Sequence, residues 1–137
     1  MTDMNKTIRW LRITYWWGII ADTIETIRMS FPTLFVSSGG LTISPDIGLK
    51  FGLLYGVPVM LGWILLLFWA DRRPVERKGI LLCLIPVIVA YMIVQGIGIS
   101  MGVARFSNMA LNFVLQTILI SLCVISYVKA RKIEGSE

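Results

Sequence analysis

The sequence predicts an all-α membrane protein: a four-helix transmembrane bundle, up-down-up-down, with the N and C termini cytoplasmic. Three observations carry this. Of the 137 residues, 56% are hydrophobic and only 15% are charged, where an average soluble domain carries about 25% charged residues. The mean hydropathy is +0.77. The apolar residues are also gathered into four runs, each near the roughly 20 residues that cross a hydrocarbon core. The length suits one integral membrane domain over residues 1–137.

The first helix is expected over about 13–35. A polar, basic stretch with Lys6, Arg9 and Arg12 precedes it, and Trp10, Tyr15, Trp16 and Trp17 form an aromatic cluster suited to the headgroup boundary. Pro32 falls near the far end, where a lost hydrogen bond matters least. Asp22, Glu25 and Arg28 interrupt the segment, and no small-residue cleavage site follows a clean apolar core. It therefore reads as a retained helix and not a cleaved signal. Residues 36–44 are rich in Ser and Gly and read as a loop. Ser44 suits a cap, Pro45 the first helical position and Asp46 the positive dipole end, so a second helix is expected over 45–70. A charged loop follows, in which Asp71 and Glu76 can pair with neighbouring arginines. A third helix is expected over 80–98 and a fourth over 105–128, with a polar, frayed tail after it.

Orientation follows from the cations. Lys6, Arg9, Arg12, Arg72, Arg73, Arg77, Lys78, Lys129, Arg131 and Lys132 are ten of the thirteen Lys and Arg, and all fall on one side of this topology. The excess of Lys and Arg in cytoplasmic loops puts that side inside the cell. The net charge of +5 is accounted for by this anchoring. No basic patch is interleaved with stacking aromatics, which excludes nucleic acid as a partner. The expected partners are the bilayer itself, with anionic lipid at Arg72, Arg73, Arg77 and Lys78, and a second copy or another membrane protein. The same loop would also suit a cytoplasmic partner.

The first helix is the most informative for function. A charge at the centre of a span costs about 2.5–3.5 kcal/mol, and each Leu, Ile, Phe or Val returns about 0.3–0.6 kcal/mol. The nine such residues between Ile13 and Val36 therefore return about 3–5 kcal/mol, which does not cover Asp22, Glu25 and Arg28 unpaired. These charges are expected to face protein or water. At 100° per residue, Thr14, Gly18, Asp22, Glu25 and Met29 share one face, and Glu25 and Arg28 have the spacing of a helical ion pair. The fourth helix carries a matching stripe of Arg105, Asn108, Asn112 and Gln116, with Arg105 placed to meet Asp22 or Glu25 if the two helices are neighbours. Gln95 on the third helix can join it. Two readings stand: an ion-pair and amide cluster that fixes helix packing, or a site for a small ligand, cation or proton.

Other features read first as structure. Gly48, Gly52 and Gly56 form a doubled GxxxG that lets another helix approach closely. Pro58 and Pro86 sit inside the second and third helices, where each frees a carbonyl. Cys83 and Cys123 lie within spans, form no CxxC and read as small hydrophobes. The chain contains no histidine. It shows no metal set, nucleophile–base pair or phosphate-binding loop, so no catalytic residue, cofactor or metal is implied.

The stretch from Met60 to Arg77, with its Trp-Ala-Asp-Arg-Arg-Pro-Val-Glu-Arg loop at 69–77, resembles a group of small prokaryotic four-helix integral membrane proteins. Their first helix similarly begins near a pair like Tyr15-Trp16 and carries an aspartate like Asp22. The resemblance covers most of the chain and implies a fold but no mechanism.

Overall fold

A computed structural model describes residues 3–134. They form five helices: α1 (Asp3–Ser30), α2 (Pro32–Gly39), α3 (Ile47–Asp71), α4 (Gly79–Ser100) and α5 (Phe106–Glu134). Among the described residues there is no strand, only one isolated bridge between Leu41 and Ala104.

Three stretches are long and apolar enough to cross a membrane: Ile47–Asp71, Gly79–Ser100 and Phe106–Lys132. Their most apolar windows are only 17%, 17% and 22% buried. Ile47, Phe51, Tyr55, Leu65 and Val94 are each more than half exposed. A soluble monomer rarely shows contiguous apolar surface on that scale. These outward faces want lipid as their solvent, and the chain is a helical membrane protein. The helix α1 is not among the three stretches, because Asp22, Glu25 and Arg28 break its apolar run.

The first helix does not run unbroken to Phe35. It ends at Ser30, and a short α2 begins at Pro32. Pro32 has no N–H for the Arg28 carbonyl, and its ring would crowd that oxygen. The Phe31 N–H takes the Arg28 carbonyl instead at 3.1 Å, and Phe31, at φ −121° and ψ 87°, turns the chain. At the start of α3 the cap is Asp46 and not Ser44: its carboxylate accepts the Leu49 N–H at 2.8 Å from extended backbone. Both α3 and α4 continue through Pro58 and Pro86. The end of α5 does not fray at Lys129. Ala130 is fully buried and the Lys129 ammonium lies 4.4 Å from the centre of the Trp10 ring, which holds the helix together to Glu134. The tail beyond, 135–137, lies outside the described residues.

The middle position belongs to α1, which packs along α3 and α5, while α4 packs on α5 and has no comparable contact with α1 or α3. Thr7, Leu11, Thr14, Tyr15, Gly18 and Ile19 recur at helical spacing as the buried stripe of α1. The core joins Leu11, Tyr15 and Ile19 to Ile64, Leu67 and Ala70 of α3, Leu81, Leu84 and Ile88 of α4, and Leu119, Cys123 and Ala130 of α5. All of these lie toward the end where α1 begins and α5 finishes.

Polar contacts stitch that same end. The Thr14 and Ser126 hydroxyls meet at 2.8 Å between α1 and α5. The Tyr15 hydroxyl donates to the Arg77 carbonyl at 3.2 Å, tying α1 to the 72–78 turn. Asp71 pairs with Arg12, at 3.1 and 3.3 Å to its two oxygens, and not with the loop arginines. Asp71 is the last residue of α3 and is buried, so its partner comes from the helix packed on it. Glu76 does pair locally, with Arg73 at 3.2 Å.

Candidate functional site

Where α4 stands off from α1 and α3, the helices leave a half-open cavity of about 560 Å³ lined by α1, α3, α4 and α5. Its polar wall comes from Asp22, Glu25 and Arg28 on α1, Tyr91 and Gln95 on α4, and Asn112 and Gln116 on α5. The remaining wall is apolar or aromatic, with Trp17, Trp63, Ile88, Leu115 and Leu119 among its side chains.

Glu25 is fully engaged. One carboxylate oxygen takes Arg28 at 2.7 Å, one helical turn away, and the other accepts the Tyr91 hydroxyl at 3.1 Å. Arg28 is held in turn from the far side. Its Nε donates to Ser38 Oγ at 2.8 Å, and the guanidinium sits 5.4 Å from the centre of the Phe35 ring. In an unbroken helix Ser38 would lie about 15 Å along the axis from Arg28. The break at Phe31 is what folds α2 back far enough for this bond. Gly39 keeps the space open, since a Cβ there would lie 3.3 Å from the Arg28 guanidinium.

Asp22 is different. Among the described residues, no cation and no hydrogen-bond donor reaches its carboxylate. The carbonyl oxygens of Gln95 and Gln116 are buried and also lack a donor. A buried acceptor left unmade costs about 1–3 kcal/mol. These two buried oxygens, with the half-buried Asp22 carboxylate on the same wall, are a set of vacant acceptors.

The Thr14–Ser126 contact sets the depth of α1 against α5. Counting about 1.5 Å per residue from it, Asp22 and Gln116 come within about 3 Å in depth, and Asn112 lies level with Arg28. The same count puts Arg105 about 20 Å beyond Asp22. Arg105 is exposed and meets neither Asp22 nor Glu25. Asn108 is also away from the cavity, packed over Gly40, whose φ of +59° caps α2 in the left-handed region. Asn112 makes only a long contact to Met109 sulfur at 3.8 Å. The structure thus assembles Asp22, Glu25, Arg28, Gln95, Asn112 and Gln116 and leaves out Arg105 and Asn108.

Tyr91 went unread in the sequence. It lies one helical turn before Gln95, and that i, i+4 pair of polar side chains in an apolar helix was the signal available. Ser38 and Phe35 carried none, because nothing local shows that α2 turns back.

The other predicted residues fall elsewhere. Gly56 meets the Met29 side chain on α1, whereas Gly52 has nothing within 4 Å and Gly48 only Asp46 of its own helix start. In the turn, Arg77 stacks 3.5 Å from the centre of the Trp69 ring and donates to its carbonyl, and Arg72 and Arg73 are exposed. Cys123 is buried, Cys83 is exposed, and both are free. Among the described residues no three His, Cys, Asp or Glu could hold a metal together.

Fold and site together define an all-helical membrane protein with a polar cavity between its helices. No protein-family model, no curated protein and no solved structure matches this chain, so the cavity carries the functional argument.

Proposed function

We propose that the chain is a multi-pass protein of the cell membrane that binds or carries a small cationic or protonatable ligand in the cavity. In this reading α1, α3, α4 and α5 form the four-helix bundle, up-down-up-down, with both termini and the 72–78 turn in the cytoplasm. The bias of ten of thirteen Lys and Arg supports the orientation. The exposed Arg72 and Arg73 suit anionic lipid. Membership of the small prokaryotic four-helix family is part of the same proposal. The crossing of α1 is supported by its internal pairing, because Glu25 and Arg28 neutralise each other and only Asp22 remains.

The single observation that carries the functional reading is the Asp22 carboxylate, inside the helix assembly with no counter-charge. An ionisable residue within a membrane helix marks a ligand or ion path by default. The test replaces Asp22 with Asn and Glu25 with Gln, then measures folded yield in detergent and proton or sodium flux in vesicles. Normal yield with loss of an Asp22-dependent flux or ligand response supports the reading. Loss of folding, with no flux in the parent protein, supports a purely structural cluster.

A second reading has one observation in its favour. Gly48 and Gly52 present an open face of α3 to no helix of this chain, as a subunit packing on a partner or on itself would. Gly52→Ile should abolish a crosslinked oligomer; an unchanged pattern counts against that face.

A further inference from the structure

We infer that the ligand of this cavity is a protonated primary or secondary amine on an apolar body, an inference that rests on the reading of the cavity as a binding site. The charge count comes first. Two carboxylates, Asp22 and Glu25, stand against one guanidinium, Arg28, and these are the ionisable acids and bases on the wall. One negative charge is left over, and the Arg28 and Tyr91 contacts to Glu25 locate it at Asp22. The complement is a monocation.

Hydrogen bonding narrows the class. The buried groups left without a partner are both acceptors, the carbonyl oxygens of Gln95 and Gln116, and the half-buried Asp22 carboxylate stands with them on the same wall. A ligand that satisfies them must bring N–H or O–H donors. A quaternary ammonium brings charge without donors and leaves both amides unmade. A protonated primary or secondary amine brings both. Gln116 lines the same cavity at about the depth of Asp22, and Gln95 offers a further acceptor on the facing helix.

Size and wall chemistry do not suit a divalent metal ion. Calcium takes 6–8 oxygen ligands and magnesium demands a near-ideal octahedron, which one unpaired carboxylate and three amides do not supply. The cavity, at about 560 Å³, has the volume of sites that hold whole organic molecules, roughly 300–1,000 Å³. Its aliphatic side chains suit an apolar body. Trp17 and Trp63 on the wall add faces that attract a cation. The α4 seam supplies the access route from lipid, since α4 is not packed along α1 or α3.

The experiment is calorimetric titration of the full-length protein in detergent, with empty micelles as blank. The probes are 2-(1-naphthyl)ethylammonium, its N,N,N-trimethyl counterpart and 2-(1-naphthyl)ethanol. The primary ammonium should bind at least tenfold more tightly than either analogue. Asp22→Asn should weaken it at least tenfold, and Gln116→Leu should weaken the primary ammonium more than the trimethyl form. The probe series on the parent protein tests the assignment even if Asp22→Asn does not fold. Equal binding of ammonium and trimethylammonium, or full affinity in a folded Asp22→Asn protein, would overturn the assignment. If no amine binds while an Asp22-dependent sodium or proton flux persists, the amine class falls and the binding-site reading stands. If neither is found, both fall.

Discussion

The two ends of this molecule are built differently. At the end where α1 begins and α5 finishes, Leu11, Tyr15, Leu67, Leu81, Cys123 and Ala130 are fully buried and three polar contacts cross between segments. Toward the other end α4 stands away from α1 and α3, and the space is a cavity with a charged and amide wall. Few side chains are fully covered there, and the loops are joined by the Leu41–Ala104 bridge and by the Thr42 N–H to the Val103 carbonyl at 2.9 Å. One half therefore supplies the stability that lets the other half keep unmade acceptors. Protein elements that bind or move are drawn from the low-stability part of a fold by necessity.

That contrast can be broken by substitution. The largest effect is expected at Leu67, which is wholly enclosed and meets α1 at Gly18. Leu67→Ala should cost about 2–5 kcal/mol, read as a lowered unfolding midpoint in detergent. Val87→Ala, on the cavity wall and 41% exposed, should stay within about 0.5 kcal/mol. Equal losses at the two positions would erase the distinction.

The Arg12–Asp71 bridge comes next. Asp71 is buried, so Arg12→Ala leaves a carboxylate without its partner and should cost about 1–3 kcal/mol. Restoring charge balance with Asp71→Asn in the same chain should recover part of that loss. Full additivity of the two changes would show that the pair contributes nothing. A smaller effect, about 1 kcal/mol, is expected for the Thr14–Ser126 hydrogen bond. It is measured as the coupling in a double-mutant cycle with Thr14→Val and Ser126→Ala.

The smallest effect on stability sharpens the comparison from the open side. Gly39→Ala should shift the Arg28 guanidinium, the flexible end of a side chain, which the new Cβ would approach to 3.3 Å. The unfolding midpoint should hardly move, while amine affinity changes severalfold, because a shifted Arg28 alters its pairing with Glu25 on the cavity wall. An affinity identical to the parent would mean that α2 plays no part in the site.

Much of this was legible beforehand, for particular reasons. The apolar runs place α3, α4 and the start of α5 within about two residues, because Asp46, the 72–78 turn and Gly102 punctuate them. Asp22, Glu25 and Arg28 stood out because the cost of charge in lipid is large against the return from the surrounding side chains. Helical angle alone misled at Arg105. It shares a face with Asn112 and Gln116 but lies at the wrong depth, and depth is set by the Thr14–Ser126 register, a pairing 112 residues apart. Pro32 was visible as a weak point, but its consequence, α2 folding back to hold Arg28 through Ser38, depends on a tertiary contact. Asp71 pairing with Arg12 was hidden for the same reason.

The most direct test is the infrared difference spectrum on adding 2-(1-naphthyl)ethylammonium to the purified protein. A perturbed carboxylate band is predicted in the parent and in Glu25→Gln, and its absence in Asp22→Asn. A carboxylate signal that survives removal of Asp22, or that disappears only with Glu25, would contradict the account.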